Sequence, residues 1–94
     1  MLIKGVYLDG ITSKGISARL ELVSRQKKTL VIISEDDNKQ LHVFQFSNLD
    51  ISSRIGHAPR EINLNSGEQF ITNDNEGVDQ LLRQLIPDGI APSL

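Results

Sequence analysis

The sequence predicts a mainly β domain in which about seven antiparallel strands form a bent sheet or partly open roll, capped by one C-terminal amphipathic helix. Three observations predict this class. Short segments alternate apolar and polar residues between Gly, Asn and Asp turns, and only the last long segment has a helical period. The 94 residues, 38% of them hydrophobic, suffice for one core. We therefore expect one domain over residues 1–86, with residues 87–94 as an extended tail or a linker to a downstream region.

The first half of the chain contains four segments with strand character. Leu2–Leu8 is rich in β-branched and aromatic residues and ends at the turn pair Asp9-Gly10, and Ile16–Val23 shows the clearest alternation. Thr29–Ser34 and Leu41–Phe46 follow, each after a polar turn. In the fourth strand the alternation predicts that His42, Phe44 and Phe46 share one side and that Leu41 and Val43 share the other.

Three further strands are predicted in the second half. Leu49–Ile55 steps by two until Gly56–Pro59 interrupts it. Glu61–Leu64 and Glu68–Thr72 flank the short Gly-containing segment Asn65–Gly67, which favours a hairpin.

The final element is predicted to be a helix with one apolar stripe. The stripe consists of Val78, Leu81, Leu82, Leu85 and Ile86. Asn73 with Glu76 has the form of a capping pair, although Asp74 or Asn75 could cap instead, and Asp79 and Arg83 are spaced for an i,i+4 ion pair. Docking the stripe on the sheet favours a roll, and a plain β-sandwich with a helix on one side remains the alternative.

Composition and motifs exclude several classes of function. The net charge of −2 gives no global positive field for nucleic acid, and the absence of cysteine excludes thiol chemistry. The two histidines lack the spacing of a zinc site, and no nucleophile elbow or phosphate loop occurs. The longest apolar run, Leu30–Ile33, is far too short to cross a bilayer, and no signal peptide is recognisable. We expect a domain that is soluble when isolated, not an enzyme, and free of metal and cofactor.

One segment carries a candidate binding site. Arg54 and Arg60 flank a Gly/Pro turn that also contains His57, and each guanidinium can bond a carboxylate or backbone carbonyls. In the structural interpretation, the two arginines fix this turn to a neighbouring acidic segment such as Asp74–Glu76. In the functional interpretation, they present a site for an anion or an acidic peptide.

A basic turn is the second candidate. Arg25, Lys27 and Lys28 cluster between the second and third strands, and together with Lys14 they could contact an anionic lipid headgroup. The alternative is an ordinary solvated turn.

The chain also resembles a known family. The residues that carry the resemblance are Gly5-x-Tyr7-x-Asp9-Gly10, Arg54-Ile55-Gly56-x-x-Pro59-Arg60, Ile62-x-Leu64-x-x-Gly67-x-x-Phe70-x-Thr72-x-Asp74-Asn75 and Val78-Asp79-x-Leu81-Leu82. They are similar to the N-terminal domain of unknown function that precedes HtpX-like zinc metallopeptidase domains in proteobacterial membrane proteins. The resemblance covers about residues 2 to 86. Independently of it, the order of several antiparallel strands followed by one helix is similar to the architecture of pleckstrin-homology-like domains.

The resemblance implies a non-catalytic accessory domain of a membrane-associated zinc metallopeptidase. Its partner would be the protease domain of the same chain or another protein, and its location would be the cytoplasmic face of the inner membrane. No peptidase site residue maps onto this chain. The alternative function is a free-standing module that binds anionic lipid headgroups or peptides.

Overall fold

A computed structural model describes residues 2–86 and contains seven strands, one short 3-10 helix and one α-helix. The strands are β1 (Leu2–Leu8), β2 (Ile16–Ser24), β3 (Thr29–Ser34), β4 (Gln40–Gln45), β5 (Leu49–Ile51), β6 (Arg60–Leu64) and β7 (Gln69–Thr72). The 3-10 helix is Phe46–Asn48 and the α-helix, α1, is Asn75–Leu85. The predicted mainly β class with a single C-terminal helix is confirmed.

All seven strands belong to one antiparallel sheet with the order β4-β3-β2-β1-β7-β6-β5. The sheet is strongly curled into a half-barrel, so the predicted roll is correct and the sandwich alternative is wrong. The two edge strands, β4 and β5, are consecutive in the chain and are joined by the 3-10 helix. Only the pairing of β1 with β7 connects the first four strands to the last three, with Val6 opposite Ile71.

The curl brings distant strands together. His42 lies on edge strand β4, and Glu68 immediately precedes β7, four positions away in the sheet. In a flat sheet those strands would be about 19 Å apart, yet His42 Nδ1 and Glu68 Oε2 are 3.6 Å apart. The side chains therefore meet across the open side of the half-barrel.

The hydrophobic core fills the concave face of the sheet. Inward positions alternate along each strand, as in β6, where Ile62 and Leu64 are buried and Glu61 is exposed. The buried apolar side chains of the core are Ile3, Tyr7, Ala18, Leu20, Leu30, Ile32, Phe44, Ile62, Leu64, Phe70, Val78, Leu81 and Leu85. The helix thus supplies three of them, as its predicted apolar stripe requires.

Helix α1 begins after Asp74, whose side chain accepts a hydrogen bond from the Gly77 N–H at 2.9 Å. Asp74 was one of three predicted caps, and it satisfies an otherwise unpaired N–H group of the first turn. The predicted pair between Asp79 and Arg83 is not among the ion pairs of the described helix, because the Asp79 carboxylate bonds Arg54 and Arg60 instead.

Two strand predictions need correction. The fifth strand ends at Ile51 and not at Ile55, since the last backbone bond of that strand pair runs from Ser52 N–H to Glu61 O and the chain then leaves the sheet. The pairing of β3 with β4 shifts register between Ile32 and Ile33, which leaves Leu41 without a partner on β3. Leu41 therefore packs against the core, although the alternation predicts it on the other face of β4 from Phe44. The predicted tail, residues 87–94, lies outside the described residues.

Candidate functional site

Arg60 is a buried arginine at the first position of β6. It faces inward with Ile62 and Leu64, and only 3% of its surface is exposed. Its Nε donates to the Ser52 carbonyl oxygen at 2.9 Å, and its Nη1 donates to Asp79 Oδ1 at 2.8 Å. Burying a guanidinium is unfavourable unless it is paired and hydrogen-bonded, so these two bonds make the position tolerable. They tie β6 to both the end of β5 and helix α1.

Arg54 reaches the same carboxylate from the neighbouring loop. Its Nη1 donates to Asp79 Oδ2 at 2.7 Å and to Glu76 Oε1 at 3.3 Å. Asp79 therefore bonds one arginine through each of its carboxylate oxygens. The hydrogen bond from Arg60 is the largest cause that lowers the pKa of Asp79. It outweighs burial, which raises that pKa, and the bond from Arg54 lowers the pKa further. Arg54 is far more exposed than Arg60, with 45% of its side chain accessible.

The loop that carries Arg54 and leads to Arg60, residues 53–59, is closed by further bonds. The Ala58 N–H donates to the Ile55 carbonyl at 2.9 Å, around Gly56 at a φ of +54° that favours glycine. The Asn75 side chain, at the start of α1, donates to the Ala58 carbonyl at 3.2 Å. We call residues 53–59 the tethered loop, because contacts at both of its ends fix it to the helix.

The tip of the tethered loop faces solvent. Ile55 is 71% exposed and His57 is exposed beside it. The predicted acidic counterpart, Asp74–Glu76, contributes Glu76 to the contact, and Asp79, one turn further along the helix, makes the shorter bonds. The structure thus shows Arg54 and Arg60 bonded to carboxylates of the helix, as the structural interpretation requires. The side chains of Ile55 and His57 remain exposed to solvent.

The basic turn lies elsewhere on the sheet. Arg25 and Lys27 are exposed, Lys28 is half-buried at a φ of +53°, and none of the three belongs to an ion pair among residues 2–86. The turn is at the far end of β2 from the loop that carries Lys14, about 26 Å away along a nine-residue strand. The four cations proposed from the sequence therefore do not form one patch. In the strand order, β1 and β7 lie between the strands that carry this turn and the strands that carry the tethered loop.

A polar cluster that the sequence did not predict surrounds Glu68. Its carboxylate lies beside His42 and accepts a hydrogen bond from the Ser66 hydroxyl. The bond from Ser66 is the largest cause that lowers the pKa of Glu68. Burial, followed by the nearby charge of Glu68, raises the pKa of Tyr7. Alternation had placed His42 beside Phe44, and their ring centroids are 5.8 Å apart, but only the curl of the sheet reveals its carboxylate partner.

An open groove of about 440 Å³ lies between the start of β1 and helix α1, and its lining residues include Asp74 and Glu76. Across the described part of the chain, no three His, Asp or Glu side chains are arranged to hold a metal ion. Nor does any described helix have the length and apolar character of a membrane span.

Comparison with known proteins identifies the family but not an activity. The family model described as Domain of unknown function (DUF7092) matches residues 2–85, which is nearly all of the chain. The chain therefore belongs to this family. No curated protein and no solved structure gives a significant match.

Proposed function

We propose that this member of the DUF7092 family is a non-catalytic interaction domain that binds a protein partner through the tethered loop. One observation carries the proposal: a buried arginine, a bridging carboxylate and a helix side chain fix the loop, while its tip exposes Ile55. A fixed loop loses little conformational entropy on binding, and an exposed aliphatic side chain supplies apolar area.

The family resemblance described above suggests the partner. We propose that the domain belongs to a membrane-associated zinc metallopeptidase at the cytoplasmic face of the inner membrane, and that the tip of the tethered loop contacts the protease domain. The contact would be mainly apolar with a polar rim, since Ile55 is flanked by His57 and by the partly exposed Arg54.

The experiment measures binding of the isolated domain to the catalytic domain of an HtpX-like metallopeptidase by calorimetry, together with peptidase activity with and without the domain. Ile55→Ser and His57→Ala should each weaken binding at least about tenfold, as expected for side chains near the centre of a contact. Ile11→Ser is the matched control, because Ile11 is an equally large, 89% exposed side chain in a different loop. Equal affinities for all three variants, or no binding by the unaltered domain, would contradict the proposal.

Binding of anionic lipid headgroups is the second candidate function. The observation that favours it is the basic turn, whose three cations form no ion pair with described residues. Vesicles with anionic lipid should then co-sediment with the domain at low salt and release it at high salt, whereas Lys27→Ala should weaken the association. Equal association with uncharged vesicles would exclude this candidate.

A further inference from the structure

Edge strand β4 presents unpaired backbone groups to solvent. The Phe46 N–H donates to the Lys28 carbonyl at 2.9 Å, and the strand pairs run from there as Gln45 with Thr29, Phe44 with Leu30 and Val43 with Val31. Hydrogen-bonded and non-bonded pairs alternate in an antiparallel ladder. The N–H and C=O groups of Val43 and Gln45 therefore point away from β3, and within residues 2–86 no strand lies beyond them.

The two edges of the sheet differ in how they are protected. Edge strands normally carry lysine, proline, a bulge or a very short length, which prevents pairing with another chain. Strand β5 has only three residues and leads into the tethered loop, where the chain leaves the sheet. Strand β4 has six residues; the register shift lies at its start, beside Leu41, and the regular stretch from His42 to Gln45 contains no lysine or proline. Its outward side chain Val43 is 50% exposed and lies next to Val31 on the convex face of the sheet.

The charges beside β4 are arranged so that the edge complements itself. The basic turn adjoins the end of β4, since Lys28 bonds Phe46, and the turn before β4 carries Glu35, Asp36 and Asp37 with one lysine. When two copies of β4 pair antiparallel, the end of one strand lies beside the start of the other. Each basic turn then lies near the acidic turn of the partner copy, at a distance over which charges attract at moderate salt.

We propose that two copies of this chain associate through β4, forming one continuous antiparallel sheet about a two-fold axis that passes beside Val43, so that the two Val43 residues lie opposite each other. The interface is isologous, as expected for a symmetric dimer. It joins Val43 and Val31 of both copies into one apolar row on the convex face. Because the regular stretch from His42 to Gln45 forms a small contact area, the dimer dissociates on dilution. This surface is separate from the tethered loop, and each can fail without the other.

Sedimentation equilibrium of the chain from about 10 μM to about 1 mM tests the proposal, since small interfaces dissociate in this range. We expect a monomer–dimer equilibrium that weakens as salt is raised and amide protection of Val43 and Gln45 that increases with concentration. Val43→Lys places a charge near the axis in both copies and should raise the dissociation constant at least about tenfold. Ile11→Lys makes the same change of charge on a loop and should leave the equilibrium unchanged, and thermal melts verify that both variants fold.

A charge exchange provides a test that leaves the strand unaltered. Lys27 and Asp36 are exposed turn residues, and Lys27→Glu or Asp36→Lys alone should weaken the dimer by placing like charges opposite each other. The double variant restores the attraction and should recover most of the affinity. A chain that stays monomeric at the highest concentration, a dimer that Val43→Lys does not weaken, or single and double charge variants that behave alike would each overturn the proposal.

Discussion

Asp79 Oδ1 accepts a hydrogen bond at 2.8 Å from the guanidinium of Arg60, a side chain of which only 4% is exposed. The bond connects the first residue of β6 to the second turn of helix α1. It orients the helix over the concave face of the sheet and leaves the other carboxylate oxygen for Arg54. Stability and the position of the tethered loop therefore depend on the same carboxylate.

Replacement of Asp79 by alanine should destabilise the domain strongly. The buried Arg60 would keep its bond to Ser52 and lose its counter-charge, and an unpaired buried charge costs about 3 kcal/mol of unfolding free energy. For a domain of this size the melting temperature should fall by about 12 °C or more. Asp36→Ala removes an exposed carboxylate in a turn and should change the melting temperature by less than about 2 °C. Similar melting temperatures for the two variants would contradict this role of Asp79.

Replacement of Arg54 by alanine should lower the melting temperature much less than Asp79→Ala does. Arg54 is largely solvated, and exposed ion pairs contribute little because water and salt screen them. The fall should shrink at high salt, whereas the effect of Asp79→Ala should persist. Thermal melts at two salt concentrations measure both variants, and an unchanged melt combined with lost partner binding would show that Arg54 acts in recognition and not in structure.

Stability should decrease as the solution becomes acidic. The pKa values of Asp79 and Glu68 are lower in the folded chain than their ordinary values of 3.8 and 4.5, so the unfolded chain binds protons first as the pH falls. Their stabilising contribution is complete above about pH 5 and is lost as the pH falls through the folded-state pKa values. Melts between pH 7 and pH 3 should show this decline, and Asp79→Asn should make it shallower. Equal slopes for the two proteins would argue against a contribution from Asp79.

Replacement of Gly5 by alanine should destabilise the sheet. A Cβ at Gly5 would overlap the Ile71 carbonyl oxygen and approach the Phe70 ring to 2.8 Å, at the single junction between the two halves of the sheet. Since backbone atoms cannot move aside easily, we expect a loss of about 1–3 kcal/mol in chemical denaturation. At Gly15, in an exposed loop, the added carbon would meet the partly exposed Val6 side chain and no backbone atom, so Gly15→Ala should cost less. The reverse order would contradict this explanation.

Alternation along the sequence predicted most of the fold because one face of each strand is buried. The predicted bounds of Leu2–Leu8 and Thr29–Ser34 agree with the structure, and the helical stripe is buried at Val78, Leu81 and Leu85 and half-buried at its other two positions. The fifth strand was predicted too long because Ser53 and Ile55 continue the alternation after backbone pairing has ended. Alternation shows only which side chains are apolar. A strand continues only where a neighbouring strand supplies partners for its backbone hydrogen bonds.

The sequence predicted the candidate site less completely. It predicted that Arg54 and Arg60 both contact an acidic segment near the start of the helix, but it predicted an ion pair between Asp79 and Arg83. A helical i,i+4 pair is weak, and bonds to two guanidinium groups outweigh it. The contact between His42 and Glu68 was not predicted, because it depends on how tightly the whole sheet curls, which no local pattern specifies.

The pairing of β1 with β7 has a consequence for how the chain folds. Strands β1–β4 form one meander of neighbouring hairpins, and β5–β7 form another, so nearly all strand contacts are local in sequence. The exception is this junction, where the Thr72 hydroxyl also donates to the Lys4 carbonyl across 68 residues. Local hairpins form quickly, whereas closing a long loop is slow. We therefore expect the docking of the two halves to limit the rate of folding, and the short 3-10 helix that links them is the place where a chain divided into two fragments should reassemble.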